Sequence, residues 1–185
     1  MINFFDNSIT TPVNLPKFGL CDLSPEDRRK HPDKPGHAFV DDGSSGIDWI
    51  ATVENPNQIK ICFTPIDKGV VRDGDLQWDG CGRCDAMLYK EPLFIYFIEL
   101  KDKKPSWISS AVKQLESTLQ IFFEVHGREK LEVFHNKEQR RAYACNKRYP
   151  NAQQNHECKR NFRDKWGVRL FIEATIHVDV LENSP

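Results

Sequence analysis

The sequence lacks any hydrophobic stretch long enough to cross a membrane. Its longest apolar run, Leu93–Ile98, is far shorter than the ~20 residues that a membrane-spanning helix needs. The first residues also lack the basic start and the small-residue cleavage site of a secretory signal. These absences argue against a membrane protein, and we expect a soluble protein that stays in the cytoplasm and has no membrane partner.

Net charge is also nearly absent, because 26 Lys+Arg face 27 Asp+Glu. The balance is nevertheless uneven along the chain. Residues 1–100 carry 10 basic and 16 acidic side chains, whereas residues 101–170 carry 16 and 8. A basic surface attracts phosphates through its charge and through the release of counterions. We therefore expect a nucleic-acid footprint in the second region, and a solvated surface of long side chains is the alternative.

The size and composition of the chain indicate one domain. With 185 residues, of which 39% are hydrophobic, the chain fits a single globular core. Five prolines and the tract Asp41–Gly46 fall within the first 46 residues, where hydrophobic periodicity is weak. We expect residues 1–46 to form an irregular segment that packs on a single α/β domain of residues 47–185.

Two β-hairpins are predicted in the first part of that domain. Strand-like alternation at 47–54 and at 58–64 is interrupted by a turn at 55–57. The second hairpin joins residues 85–89 to residues 93–101. Its second arm is almost entirely apolar, which is typical of a central strand that is covered on both faces.

The most secure helix follows the second hairpin. Apolar residues recur at three- and four-residue spacing from 106 to 126, with Ser106 in position to cap the helix. The remaining pattern predicts a short strand at 140–145, a basic helix near 156–165 and a strand at 168–178. These elements predict the α/β class, with a mixed central sheet flanked by helices.

The second hairpin also carries side chains suited to phosphodiester chemistry. An antiparallel pair brings Asp85, at the start of one strand, beside Glu99, at the end of the next. Carboxylate oxygens are the ligands that Mg²⁺ prefers, and a bound metal polarises a phosphate and activates water. Lys101 lies on the same side of the strand as Glu99, where an ammonium can position the water and neutralise developing charge.

This arrangement resembles the PD-(D/E)xK superfamily of nucleases, which includes restriction endonucleases, Holliday-junction resolvases and lambda-type exonucleases. Its pattern is an Asp that opens a strand, a hairpin, and Glu-x-Lys that closes the next strand ahead of a helix. Asp85, Glu99 and Lys101 match these elements, Gln114 resembles the helix glutamine of exonuclease-like branches, and Cys84 stands where the motif has Pro. The resemblance spans residues 84–145. It implies a restriction endonuclease-like core and a nuclease that uses Mg²⁺ or Mn²⁺, with Asp85 and Glu99 as metal ligands.

Each of these residues also has a structural interpretation. Glu-x-Lys is a short motif and recurs at Glu157-Cys158-Lys159, although only the first copy follows an apolar strand and precedes an amphipathic helix. Gln114 has the alternative of a solvent-facing or capping amide on the flank of the helix. Glu54 is a candidate for the additional acid that some family members use, and an exposed strand end is its alternative.

The cysteines are a second signal. Cys81-Gly82-Arg83-Cys84 has the spacing of half a zinc knuckle. Two further ligands would be needed, and Cys145, Cys158 and His156 are available. If strand 140–145 runs parallel to strand 93–101, its end falls at the same edge of the sheet. The sequence therefore permits a Zn²⁺ site, with reduced buried thiols as the alternative.

A basic, aromatic stretch is the candidate nucleic-acid surface. It contains six cations that can contact phosphates, with tyrosines between them that can stack on bases: Arg140, Arg141, Lys147, Arg148, Lys159 and Arg160. The resemblance makes DNA the expected substrate, leaves RNA open and allows a protein partner that supplies specificity. Two other functions stay open at this point, a catalytically inactive binding module with the nuclease fold and a zinc-stabilised interaction protein.

Overall fold

The structure is a computed structural model that describes residues 2–75, 82–102, 106–149 and 156–180. It is a mixed α/β fold with two mixed sheets and a few helices. Within the described ranges, no helix has the length and apolar character needed to span a bilayer.

Ten strands and three α-helices make up the described part of the chain. The strands are β1 (Thr11–Val13), β2 (Lys17–Cys21), β3 (Phe39–Asp41), β4 (Ala51–Glu54), β5 (Ile61–Pro65), β6 (Ala86–Lys90), β7 (Phe94–Lys101), β8 (Arg140–Asn146), β9 (Arg169–Ile172) and β10 (Thr175–His177). The helices are α1 (Pro25–Lys30), α2 (Trp107–His126) and α3 (His156–Trp166), and 3-10 turns cover Arg128–Val133 and Lys137–Gln139.

The larger sheet has six strands in the order β1-β5-β6-β7-β8-β9. Its first three strand pairs are antiparallel, whereas β7, β8 and β9 run parallel. Every residue of β7 is buried, which confirms the prediction of a central strand. The β6–β7 hairpin and the helix α2 are confirmed as well, and β8 runs parallel to β7.

Two hydrophobic cores lie on opposite faces of this sheet. Because side chains alternate along a strand, Ile95 and Phe97 of β7 pack in the core that contains the buried face of α2. Tyr96 and Ile98 face the other way and pack with residues of the smaller sheet, such as Val53. That smaller sheet has four strands in the order β10-β4-β2-β3.

The first predicted hairpin is wrong, because β4 and β5 belong to different sheets. Asn55, which is fully buried, explains the crossing. Its amide nitrogen donates to the carbonyls of Leu15 and Ile59, and its side-chain oxygen accepts from the Ile59 N–H. These bonds satisfy a backbone that passes from one layer to the other instead of reversing.

Two further predictions need correction. The strand predicted at 168–178 is divided between β9 in the larger sheet and β10 in the smaller one, because the Ala174 carbonyl bonds the Thr52 N–H of β4 and draws the chain across. The first 46 residues are less irregular than expected, since they hold β1, β2, α1 and β3. Ser106 does not cap α2, because its side chain makes no capping hydrogen bond and its backbone is left-handed.

Candidate active site

The structure brings the three residues of the predicted catalytic motif to one place. Glu99 and Lys101 share the face of β7 that Ile95 and Phe97 direct toward α2. Asp85 directly precedes β6, and its N–H donates to the Ile98 carbonyl of β7 at 3.0 Å. The site therefore lies on the helix side of the larger sheet, at the carboxyl end of β7.

The Asp85 side chain is fixed against the neighbouring strand. Its Oδ2 accepts a hydrogen bond from the Leu100 N–H at 2.5 Å, and only 9% of the residue is exposed. Burial, together with the nearby negative charge of Asp22, raises the pKa of Asp85 to about 7. This carboxyl group is thus poised to change charge near neutral pH.

Glu99 is the most unusual group of the site. It is completely buried, and it forms an ion pair with the Lys101 ammonium through Oε1. Neither carboxylate oxygen has a hydrogen bond of regular geometry within the described residues, so Oε2 is left without a partner. Burial and the Asp85 charge raise the pKa of Glu99 well above its usual range. An unpartnered, buried carboxylate oxygen beside a second carboxyl group fits a hard divalent cation.

Lys101 and Gln114 form the other half of the site. The Lys101 ammonium donates to Gln114 Oε1 at 2.5 Å, and Gln114 Nε2 donates to the Arg83 carbonyl at 3.0 Å. A Cβ atom on Gly82 would lie 2.6 Å from Gln114 Cγ, so a side chain there would push the amide away. Gln114 is thus a partner of Lys101, and its amide also binds a backbone carbonyl, as the capping alternative describes.

The sequence did not point to Asp22, which the structure places near the site. Asp22 follows β2 and forms an ion pair with Arg28 at 2.8 Å. Its negative charge raises the pKa of Asp85 and of Glu99, and burial raises its own pKa. No local signal could have identified it, because it reaches the site only through the pairing of β2 in the smaller sheet.

Glu54, the candidate for an additional acid, lies elsewhere. It ends β4 in the smaller sheet and pairs with His177 Nδ1 at 3.1 Å. Its interpretation as an exposed strand-end residue therefore fits the structure better. The second Glu-x-Lys also differs from the first, because Glu157 and Lys159 belong to the helix α3.

Asn146 also belongs to this edge of the sheet. It stands opposite Lys101 in the β7–β8 register, and its Oδ1 accepts from the N–H groups of Arg148 and Tyr149. This turn holds two of the predicted phosphate contacts near the site. The Lys147 N–H donates to the Lys101 carbonyl, and Arg148 pairs with Asp102 at 2.6 Å.

Arg140 and Arg141 lie at the opposite end of the same strand. They stand level with Ile95 and Tyr96 of β7, and each is 9% exposed. Arg140 donates to the Phe134 carbonyl at 2.8 Å, and Arg141 donates to the Glu138 carbonyl at 2.9 Å. The structure gives both arginines internal partners and does not bring them to the catalytic motif.

The structure does not bring the described cysteines together. Cys84 is buried on the helix side of the larger sheet, whereas Cys145 is buried on the opposite side. Cys158 packs against the helix-side core from α3, and Cys81 lies outside the described residues. A Zn²⁺ site that included both Cys84 and Cys145 would have to pass through the sheet. Over the described ranges, no cluster of three His, Cys, Asp or Glu side chains is arranged to hold a metal.

Comparison with known proteins identifies no relative. No family model, no curated protein and no solved structure matches the chain.

Proposed function

We propose that this protein is a Mg²⁺-dependent phosphodiesterase that cleaves DNA, with a restriction endonuclease-like core. The observation that carries the proposal is the buried Glu99 carboxylate, whose Oε2 lacks a hydrogen-bond partner in the described part of the chain and which lies with Asp85 beside a lysine held by a glutamine. Buried polar groups are normally satisfied within a fold, so an exception of this kind supports a site that a ligand completes.

The residues of the site divide the chemistry between them. Asp85 and Glu99 are the two groups that would hold the cation, which when bound polarises the phosphate and lowers the pKa of a bound water. The Lys101 ammonium lies where it can orient the attacking water and stabilise charge on the phosphate oxygens in the transition state. Gln114 limits the positions open to that ammonium, because it anchors the lysine to the Arg83 carbonyl.

The test is a cleavage assay with supercoiled, linear and single-stranded DNA in Mg²⁺, Mn²⁺ or EDTA. We expect cleavage in Mg²⁺ or Mn²⁺ and none in EDTA. The cleavage rate of Lys101→Ala should be lower by about 10²–10³-fold, the range observed when one transition-state donor is removed. Lys137→Ala is the matched control, because Lys137 is an exposed lysine in a 3-10 turn and lies outside the site. Equal rates for wild type, Lys101→Ala and Asp85→Ala would overturn the proposal.

A binding module without catalytic activity is the second candidate. The observation in its favour is that Lys101 already neutralises the fully buried Glu99, so the pair is stable without a metal. This candidate predicts DNA binding in EDTA, no cleavage in any metal, and no effect of Lys101→Ala on affinity.

A further inference from the structure

A basic groove lies between α3 and β9, at the edge of the larger sheet. It is open to solvent and has a volume of about 470 Å³. Four residues of α3 line one wall: His156, Lys159, Arg160 and Arg163. Their spacing of three and four residues places them along one face of the helix. Arg169 and Phe171 of β9 form the opposite wall, and one acid, Glu173, lies at its end.

The cations of this groove are only weakly compensated. Arg160 has no ion-pair partner in the described part of the chain. Arg163 approaches Asp164 at 3.8 Å, but both side chains are about 60% exposed, and exposed pairs of this kind contribute little net attraction. Arg169 pairs with Glu138, which is itself exposed. The groove therefore keeps its positive charge toward solvent.

The apolar part of the wall is a single aromatic ring held in place by its neighbours. Phe171 stacks on Tyr143 with ring centroids 5.1 Å apart. The Lys159 ammonium and the Arg169 guanidinium lie 5.8 and 5.5 Å from its centroid. A flat ring flanked by cations suits a ligand that carries both phosphates and bases.

The register of the sheet relates the groove to the candidate active site. Glu99 stands opposite Ala144, and Ala144 stands opposite Ile172 of β9. With neighbouring strands ~4.8 Å apart, the upper end of the groove is about 10 Å from the Glu99 backbone. From there the wall follows β9 down to Arg169, over roughly 10 Å. Phe171 packs on the smaller-sheet side, whereas Glu99 lies on the helix side, so a strand bound in the groove would pass around the edge strand β9 to reach the site.

We propose that this groove binds the phosphate backbone of the nucleic acid whose cleavage is proposed above, so this inference rests on that function. Arg160 and Arg163 make the main phosphate contacts, because guanidinium groups bind phosphate oxygens through paired hydrogen bonds. β9 is also an edge strand, so an acidic protein segment is the competing occupant. The number of cations and the single aromatic ring favour nucleic acid over that segment.

The test measures the binding of fluorescently labelled single-stranded and duplex DNA in EDTA, where no cleavage occurs, as a function of salt. We expect Arg160→Ala/Arg163→Ala to bind about 10-fold more weakly or worse, and to lower the slope of log affinity against log salt by about 1–2. Lys165→Ala is the matched control, because Lys165 lies on α3 but lines a different groove and pairs with Glu116. Circular dichroism checks that α3 is intact in both variants.

Several outcomes would overturn the inference. One is wild-type affinity and slope in the double variant, another is equal weakening by Lys165→Ala, and a third is no binding by the wild type. Equal competition by polyglutamate at the same charge concentration would assign the groove to an acidic protein segment instead. The proposed catalysis is judged separately, since Asp85→Ala should abolish cleavage and keep binding in EDTA. Loss of binding in the double variant with cleavage unaffected by Asp85→Ala would keep the groove and reject the nuclease.

Discussion

The two ends of the β7–β8 strand pair both bury charged and polar groups, but they treat them differently. At the amino end, Arg141 donates to the Glu138 carbonyl, the Tyr143 hydroxyl and Asp179. Tyr96 there donates to Gln139. At the carboxyl end, the Glu99 carboxylate has an ion pair with Lys101, and its Oε2 has no hydrogen-bond partner among the described residues. The first end satisfies its buried polar groups internally, whereas the second leaves a buried oxygen to which a ligand could bind.

The largest effect on this difference between the two ends is expected for Glu99→Gln, which removes the carboxylate and keeps the size of the side chain. We expect cleavage to fall by about 10³-fold or more, because a metal ligand is worth several kcal/mol in the transition state. The same change should lower the free energy of unfolding in EDTA by about 3–5 kcal/mol, since the buried Lys101 ammonium loses its ion-pair partner. Cleavage rates and urea unfolding are measured on one preparation. Wild-type cleavage by the folded variant would contradict a role of Glu99 in holding the metal.

Stability should also depend on pH through Asp85. Its pKa is raised to about 7 in the folded protein from an ordinary value of 3.8. The folded state therefore holds the proton more tightly than the unfolded state, so the contribution is full below about pH 4 and is lost as pH rises toward 7. A shift of this size corresponds to roughly 4 kcal/mol. Thermal melts in EDTA between pH 4 and 8 measure it, and Asp85→Asn should flatten the profile. Mg²⁺ should restore stability more at pH 8 than at pH 5, because metal binding requires the deprotonated carboxylates.

The amino end is tested by Arg141→Ala. This change leaves the buried Tyr143 hydroxyl and two part-buried carbonyls without their donor, and we expect the free energy of unfolding to fall by about 2–4 kcal/mol. Urea unfolding measures the loss. The rate per folded molecule should be unchanged, because Arg141 lies at the far end of the sheet. A selective loss of DNA binding in a fully folded Arg141→Ala protein would instead place this arginine on the substrate surface.

The smallest expected effect concerns Gln114, which acts by positioning Lys101. Gln114→Ala should lower kcat by about 10–100-fold, the usual cost of losing a residue that orients a catalytic group. KM should change little, because the amide reaches the lysine and not the substrate. A purely structural role would lower stability and leave kcat per folded molecule unchanged.

Sequence reasoning succeeded where the controlling interactions are local. Asp85, Glu99 and Lys101 lie on one hairpin, so strand alternation alone fixes their common face. The helix α2 has a regular apolar stripe, and its connection to the parallel strand β8 follows from ordinary crossover rules. The common location of Asp85, Glu99 and Lys101 could therefore be anticipated.

Reasoning from local pattern failed where distant segments decide the outcome. The residues at 55–57 predict a turn whether the chain reverses within one sheet or crosses to the other. The crossing is stabilised by the hydrogen bond from Asn55 to the Leu15 carbonyl, which lies 40 residues away in the sequence. Asp22 reaches the site only because β2 pairs with β4. The division of the predicted strand 168–178 into β9 and β10 likewise depends on Thr52, whose N–H donates to the Ala174 carbonyl. Periodicity carries no information on such contacts.

The place of β10 in the smaller sheet has a consequence for the order in which the protein is made. Thr175 of β10 pairs with Thr52 of β4 in a parallel register. β4 therefore cannot form this pairing until β10 has emerged from the ribosome, much later in synthesis. At roughly 5–20 residues per second, the wait is on the order of ten seconds. During that time, β4 presents an open strand edge that can recruit another nascent chain. The smaller sheet is therefore completed last, and we expect nascent-chain quality control to act on this part of the fold.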